Sequence, residues 1–425
     1  MDDTTKRLFP ILLVIFTNIL GAGVIIPILP LYAEGQFDGT VLQITLLSTS
    51  FFGAQFLAAP WLGRLSDLYG RRPVLMLSQL GTVLAFVLFI FAGPIGGWID
   101  SLAVNLPMTG GMIMLYIART LDGITGGNIT TAQAYVSDIT TQEDRARGLG
   151  LLQAAFGVGF IFGPAFGGVL SNFGPVVPFI GAAIITTGTL LLTTFRLEES
   201  LPLEDRGDKS QRGRILPSLE LLQSERALTL VLLIGFTAAL AFSSLPATFA
   251  LYANRVLFGT SINPARVQLY IGLMLTFNGL MQVITQVALL QRLVKRFGEQ
   301  RLLLVGETAL FAAFAGFAST GSALVATALL APFAFGQGVS EPSLQSLVTR
   351  FGMGQVRGQM LGFYQSARSL ALIIGPIWAG YAFEALSPRA VYWGGSLLIL
   401  IAILIAFILL RLDLPSGRSQ GTLKK

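Results

Sequence analysis

Twelve segments of this chain are apolar over roughly 20 residues, the length that an α-helix needs to cross the hydrocarbon core of a bilayer. Only 12% of the residues are charged, whereas a soluble domain carries about 25%. The mean hydropathy is +0.72. The sequence therefore predicts an all-α polytopic membrane protein with 12 transmembrane helices. The predicted helices lie near 9–31, 43–64, 73–93, 108–132, 147–171, 176–195, 227–252, 267–291, 301–321, 323–347, 358–384 and 390–411.

A polar, charged segment separates the first six apolar runs from the last six. We interpret it as a cytoplasmic linker between two pseudo-symmetric halves, because Gly163-Pro164 in the fifth run recurs as Gly375-Pro376 in the eleventh. Internal duplication of this kind is typical of transporters, whose substrate sites lie at the interface of the repeats. The predicted parts are an N-terminal six-helix half at 1–195, the linker at 196–226 and a C-terminal six-helix half at 227–425.

The basic residues predict the orientation, because lysine and arginine are enriched in cytoplasmic loops. If the N-terminus is inside, 23 of the 28 basic residues fall on the cytoplasmic side. Only Arg255, Arg266 and Arg389 fall outside, while Arg119 and Arg368 fall within apolar runs. We predict that both termini are cytoplasmic. This distribution also explains the pI of about 9.7 without a nucleic-acid partner.

Two residue types are missing from the chain, which contains no cysteine and no histidine. Disulfides and thiol chemistry are therefore excluded, and a proton handled near neutral pH must be carried by a carboxylate. The sequence also lacks a phosphate-binding loop of the Walker type. We predict no enzymatic activity, no catalytic residues, no cofactor and no metal site.

Glycine and charge are concentrated in the loop at 63–73, between the second and third apolar runs. Gly63 would let two helices approach closely, and Gly70 permits a tight turn. Asp67 can cap the N-terminus of a neighbouring helix.

The same loop carries two adjacent arginines, Arg71 and Arg72. Either can pair with an acidic residue on another cytoplasmic helix end, and Asp138 at the inner end of the fourth run is the candidate. The alternative is that the loop is only a positively charged anchor on the cytoplasmic side.

The fourth run contains two charges of opposite sign, Arg119 and Asp122, which lie on one helix face because they are three residues apart. A charge at the bilayer centre costs about 2.5–3.5 kcal/mol on insertion scales, so the pair is predicted to line a cavity. The alternative is a static ion pair that only positions helices. Other candidates for the cavity in the N-terminal half are Asn18, Gln55, Asn128 and Gln153.

Polar residues recur at helical spacing in the second half and predict polar helix faces. They are predicted to line a substrate cavity, and Glu341 is a second candidate proton carrier that could pair with Arg368. The alternative is that these side chains only bond helices together. Glu307 is discounted because it lies on a peripheral helix. The cavity candidates are Phe242, Asn278, Gln282, Gln337, Tyr364 and Arg368.

The fifth run is rich in small residues on one face, which allow close helix contact, and its proline bends the helix. Generic packing is the alternative to a specific role. The residues concerned are Gly159, Gly163, Pro164, Gly167 and Gly168.

Together these segments resemble the major facilitator superfamily. The loop at 63–73 resembles the loop between its second and third helices, and 157–168 is similar to the antiporter signature of its drug-efflux branch. The resemblance implies two six-helix halves, a loop that acts as a conformational latch, and a span-4 arginine, here Arg119, that is associated with proton coupling. An acid at Asp122, where the family has another polar residue, could carry the proton itself.

The resemblance is closest to twelve-helix drug:proton antiporters that include tetracycline efflux proteins, especially over 115–140. Those exporters have aspartates where this chain has Asn18 and Ala85. Asp122 or Glu341 is therefore expected to replace them, with a broader range of substrates than tetracycline.

The sequence thus predicts a proton-coupled efflux antiporter for small amphipathic or cationic compounds, working by alternating access. Its partners would be a small-molecule substrate, protons and the lipid bilayer, and the protein would be a monomer in the bacterial cytoplasmic (inner) membrane. The alternative is a proton-coupled importer or facilitator of a small anionic metabolite, which Arg119 and Arg368 could bind.

Overall fold

The computed structural model describes residues 3–102, 106–126, 128–207, 226–259, 262–351 and 355–412. Across these residues the chain is helical, without strands. The helices up to the linker are α1 (Asp3–Phe37), α2 (Val41–Tyr69), α3 (Arg71–Ile90), α4 (Ala92–Ser101), α5 (Gly110–Thr125), α6 (Asn128–Ile139), α7 (Arg145–Leu170) and α8 (Val177–Arg196). Those after it are α9 (Arg226–Tyr252), α10 (Pro264–Ile284), α11 (Leu290–Phe297), α12 (Glu299–Ser319), α13 (Ala323–Thr349), α14 (Gln355–Ala385) and α15 (Ala390–Leu409).

Several helices begin where a hydroxyl residue can accept a hydrogen bond from a free backbone amide. At α2, Thr40 Oγ1 accepts from the amide of Gln43 at 3.3 Å, and the Gln43 side chain accepts from the amide of Thr40 at 3.1 Å. Thr109 and Ser322 cap α5 and α13 in the same manner. Such caps satisfy donors that the helix itself leaves free, so they fix where each helix starts.

The protein is a multi-pass membrane protein. Ten helical segments of the described chain are long and apolar enough to cross a bilayer. Many large apolar side chains on them, including Leu57, Trp61 and Phe195, are exposed, as expected for helices that face lipid. Two predicted spans are not among the ten: the one near 108–132 is divided between α5 and α6, and the one near 358–384 corresponds to α14. The count of twelve and the orientation remain predictions.

The fourth predicted span, whose sequence is interrupted by glycines, is divided in the structure. Helix α5 ends at Thr125, and α6 begins at Asn128. Ser78 Oγ donates to the carbonyl of Thr125 at 2.5 Å, and Gln55 Nε2 donates to the carbonyl of Gly126 at 3.0 Å. A broken helix is tolerated at membrane depth when neighbouring side chains satisfy the freed backbone groups in this manner.

Two compact units can be distinguished. The first comprises Met1–Arg212, Pro246–Gly279 and Pro376–Pro388, and the second comprises Gly213–Leu245, Leu280–Gly375 and Arg389–Lys425. In the first unit, an apolar core forms among α1, α3, α6, α7 and the end of α8. In the second, α9, α12, α13, α14 and α15 share a core that includes the buried ring of Tyr364. The predicted boundaries at 195 and 226 stay predictions.

Within the first unit, the glycines of α7 allow it to pack closely on α1. A Cβ added to Gly159 would lie 2.6 Å from the carbonyl oxygen of Phe16. A Cβ added to Gly163 would lie 2.6 Å from the carbonyl oxygen of Leu20 and 2.8 Å from Cα of Gly23. These neighbours are backbone atoms, so they cannot move aside as a flexible side chain could. The contact resembles the small-residue packing that brings membrane helices together.

We predict that Gly163→Ala destabilises the protein, because its methyl group would force α1 and α7 apart. Overpacking of this kind costs about 1–3 kcal/mol. The measurement is the melting temperature of the purified protein in detergent, followed by fluorescence-detected size exclusion.

Gly150→Ala is the matched control, since Gly150 lies on the same helix and a Cβ there would meet no atom within 4 Å. Alanine also favours a helix by about 1 kcal/mol over glycine, so this variant should melt at or above the wild-type temperature. Equal melting temperatures for the two variants would contradict the packing described.

Candidate functional site

Arg71, the first residue of α3, joins three parts of the first unit. Its Nη1 donates to Asp67 Oδ1 at 2.6 Å and to Ser66 Oγ at 2.9 Å, both at the end of α2. Its Nε donates to Asp138 Oδ2 on α6 at 3.1 Å. The planar guanidinium can serve several acceptors at once, so one side chain holds the α2–α3 loop against α6.

Glu199, just beyond α8, occupies the N-terminus of α3. Its carboxylate accepts from the backbone amides of Arg71 at 2.8 Å and Arg72 at 3.2 Å. A carboxylate at this end of a helix is stabilised by the helix dipole. The expectation that Asp67 provides the cap is wrong, because Asp67 accepts from the Arg71 side chain instead.

The other loop residues differ in how closely they are packed. Gly70 has φ 105°, and a Cβ there would collide with the Glu199 carboxylate, so glycine is required at this turn. Gly63 has no atom within 4 Å of an added Cβ, so the predicted close helix approach at this residue is wrong. Arg72 reaches the carbonyls of Thr193 and Thr194 at the end of α8 rather than an acid.

Arg119 and Asp122 form an ion pair inside the first unit. Arg119 Nη1 lies 3.1 Å from Asp122 Oδ2, and the Thr82 hydroxyl donates to Asp122 Oδ1 at 3.1 Å. The guanidinium carbon lies 4.1 Å from the centre of the Phe51 ring, which is a favourable cation–π distance. Both charged side chains are buried. Breaking such a pair would leave an uncompensated charge in the interior.

Glu341 on α13 is the centre of a second cluster, in the second unit. Tyr364 Oη donates to Glu341 Oε2 at 2.9 Å, and Gln345 Nε2 donates to Oε1 at 2.8 Å. Arg368 Nε lies 3.4 Å from Oε2. The structure therefore brings Glu341, Tyr364 and Arg368 together on α13 and α14.

This cluster borders a small, partly open cavity within the second unit. Its apolar wall includes Phe242 on α9, whose ring stacks on Phe333 with centroids 6.0 Å apart and planes 14° apart. Its polar wall comprises Glu307, Gln337, Ser340, Glu341 and Arg368. A pocket that is mostly apolar with a few convergent polar groups is typical of sites for small organic ligands.

Glu307 on α12 has a different environment from the one that the sequence suggested. It was discounted as peripheral, yet its side chain is fully buried and lines the same cavity as Glu341. Its carboxyl group lies near the Ser340 hydroxyl and Glu341, which line the same cavity. An acid in an apolar run, such as this one at 301–321, is a functional candidate by default.

Among the described residues, the others predicted to line a substrate cavity do not line the cavity beside Glu341. Gln55 is engaged with the Gly126 carbonyl, and Gln153 on α7 is exposed. Asn18 on α1 is half-buried, and so is Gln282 on α10. Asn278 is buried in the first unit. The side chain of Asn128 lies outside the described part of the structure.

In the glycine-rich run, α1 packs against three glycines, Gly159, Gly163 and Gly167. A Cβ added to any of them would approach atoms of α1 to between 2.6 and 3.1 Å. Gly168 meets Leu269 at the start of α10, and the carbonyl of Pro164 meets Gly272 on that helix. The run therefore has packing partners on two sides within the first unit.

Comparison with known proteins identifies the family. A family model described as Major Facilitator Superfamily matches residues 11–376 and 268–425. The chain belongs to the major facilitator superfamily. Its fold agrees with that of a solved variant of the nucleoside transporter NupG, with a TM-score of 0.78 at 11% identity, covering 95% of this chain and 100% of that one.

Two curated relatives of this superfamily member are similar over nearly their whole length. The Escherichia coli tetracycline resistance protein of class C is 30% identical, over 92% of this chain and 93% of the relative. Multidrug resistance protein 2 of Bacillus subtilis (strain 168) is 28% identical, over 89% of each chain.

We predict that Glu199→Ala lowers stability, because two amides at the start of α3 lose their acceptor. The loss of a helix cap costs about 1–2 kcal/mol, which should lower the melting temperature of the purified protein in detergent. Glu204→Ala is the control, since Glu204 lies on the same segment and is exposed. If both variants have the same melting temperature, Glu199 is not the cap of α3.

Proposed function

We propose that this protein exports small amphipathic or cationic compounds in exchange for protons. The observation that carries the proposal is the cavity of the second unit, where an aromatic and aliphatic wall faces two carboxylates. Such a site suits a compound with an apolar body and a positive charge. The relatives named as tetracycline and multidrug resistance proteins support export as the direction.

Proton coupling is proposed to use the two carboxylates that pair with arginines inside the apolar runs, Asp122 and Glu341. In a chain without histidine, a proton has to bind a carboxylate, and Asp122 and Glu341 are the candidates. A proton on Asp122 would remove the charge that compensates Arg119. Because an unpaired guanidinium is costly in the interior, protonation would favour a conformation in which Arg119 finds another environment. Proton binding is thereby converted into a change of conformation.

The latch residues fit alternating access in the same scheme. The bonds of Arg71 to Asp67 and Asp138 tie α2 and α3 to α6. Hydrogen bonds to charged groups contribute about 1.5–3 kcal/mol each, enough to stabilise one conformation yet be exchanged for another. We propose that the latch opens and closes once in each transport cycle.

The setting of this activity is proposed as well. The protein would lie in the bacterial cytoplasmic membrane, with both termini inside, and would act as a monomer. Protons would then move down their gradient into the cell as the compound leaves.

We predict that Asp122→Asn abolishes proton-driven export but leaves the fold intact. Asparagine keeps the shape and can still accept from Thr82, but it cannot exchange a proton. The measurement is movement of a fluorescent cationic dye in proteoliposomes under an imposed pH gradient, together with the elution profile of the purified variant.

Glu143→Gln is the control, because Glu143 is an exposed carboxylate in the loop after α6. It should transport at the wild-type rate. Full export by Asp122→Asn would exclude Asp122 as the proton carrier and leave Glu341 as the candidate.

An anionic substrate is disfavoured by the acids beside both arginines of the apolar runs. Arg119 is paired with Asp122, and Arg368 is paired with Glu341. Neither guanidinium therefore presents an uncompensated positive charge to an anion.

We predict that Arg368→Gln retains or strengthens binding of a cationic dye, because it frees the negative charge of Glu341. If the substrate were an anion that Arg368 binds, the same variant would lose transport of it. Equilibrium binding of the dye to the purified variant, measured by fluorescence polarisation, separates the two cases. A loss of dye binding by tenfold or more, about 1.4 kcal/mol, would contradict the cationic assignment.

A further inference from the structure

Helices α10 and α11 form one long segment that ends in basic residues. A five-residue turn of wider pitch, Thr285–Leu289, joins them, and the whole segment covers Pro264–Phe297. Its 34 residues would extend about 50 Å as a helix, whereas the hydrocarbon core of a bilayer is about 30 Å thick. Charged side chains are costly in hydrocarbon. The end that carries Arg292, Lys295 and Arg296 is therefore expected at the level of the lipid headgroups.

The exposed face of this segment changes from apolar to basic along its length. Leu280, Ile284 and Val287 are 46%, 42% and 79% exposed, and their spacing of four and three residues places them on one side of the helix. The next exposed residues at that spacing are Gln291 and Lys295. One face of the segment can therefore contact an acyl chain along its apolar part and a headgroup at its basic end.

The positive charges of α11 are not neutralised by acids of the described structure. The helix contains no acid, and none of its residues is buried. The nearest acid in the sequence, Glu299, is bonded to Arg350 and Ser346 at the end of α13. Arg292 and Lys295 form no ion pair within the described residues. Two exposed cations at the end of a membrane helix attract a negatively charged surface.

We propose that the basic face of α11, formed by Arg292 and Lys295, binds the headgroup of an anionic phospholipid. The acyl chain of this lipid lies against Leu280, Ile284 and Val287. The Arg292 guanidinium can donate to two phosphate oxygens at once, and Lys295 adds a second charge. The apolar stripe accepts the chain of any phospholipid, so the two basic residues are what selects an anionic one. The inference concerns the bilayer around the protein and does not depend on the exported compound.

The test counts lipids bound to the detergent-purified protein by native mass spectrometry. The protein is titrated with phosphatidylglycerol, which is anionic, and with phosphatidylcholine of the same acyl chains, which has no net charge. The wild type should bind phosphatidylglycerol more tightly. Each basic residue near a membrane surface contributes about fivefold, so Arg292→Gln/Lys295→Gln should weaken this binding about tenfold or more. Binding of phosphatidylcholine should change by less than about twofold.

A matched control removes the same charge from the opposite end of the helices. Arg266 at the start of α10 and Arg389 before α15 are exposed, and both are predicted to lie on the outer side. Arg266→Gln/Arg389→Gln should bind both lipids as the wild type does. Both double variants should melt at the wild-type temperature, because the substituted side chains are exposed. An equal loss of phosphatidylglycerol binding in the two double variants would overturn the site, since net charge alone would then explain it.

A soluble anion is distinguished from a lipid in the same experiment. Inorganic phosphate should release no more phosphatidylglycerol than chloride does at equal ionic strength, because it lacks an acyl chain for the apolar stripe. Specific release by phosphate would assign the basic face of α11 to a soluble anion and overturn the lipid site. Equal binding of the two lipids by the wild type, or unchanged phosphatidylglycerol binding in Arg292→Gln/Lys295→Gln, would overturn it as well.

Discussion

A charge within a bilayer has no water to solvate it, and this constraint organises the buried polar residues of the protein. Each arginine inside an apolar run is matched by an acid close in space: Arg119 by Asp122 and Arg368 by Glu341. The buried charges are tolerated only because both members of each pair are present. Any event that neutralises one member, such as the arrival of a proton, therefore destabilises the other.

The same constraint governs the backbone and the helix contacts. Where α5 ends, side chains of α2 and α3 satisfy its last carbonyls. Where α7 meets α1, glycines bring the backbones together in place of the apolar burial that drives packing in water. The α2–α3 loop lies at a helix end, and it relies on charge: Arg71 and Glu199 each bind several groups there. Close packing thus holds α1 against α7. The α2–α3 loop, which is the proposed latch, is instead held by ion pairs and hydrogen bonds that can be exchanged for others.

The sequence predicted the helices well because hydropathy and length are local properties, and ten predicted spans coincide with long apolar helices. It indicated a fourth span interrupted by glycine but could not place the break at Gly126, where donors come from Ser78 and Gln55 on other helices. Nor could it identify Glu199 as the cap of α3, because the two are 128 residues apart. The spacing of polar residues along the helices did suggest Glu341 and Arg368 as partners. Glu307 was noted but discounted as peripheral, because one acid in an apolar run does not reveal which neighbours its helix will meet.

We propose that export of a cation and entry of protons are obligatorily coupled. The most direct test uses the wild-type protein reconstituted in liposomes that contain a pH-sensitive dye. A cationic substrate that does not cross the lipid by itself is added on one side, without a pH gradient. The account predicts that substrate movement drives protons in the opposite direction, at a fixed ratio and only with protein present. Substrate movement with no accompanying change in internal pH would contradict it.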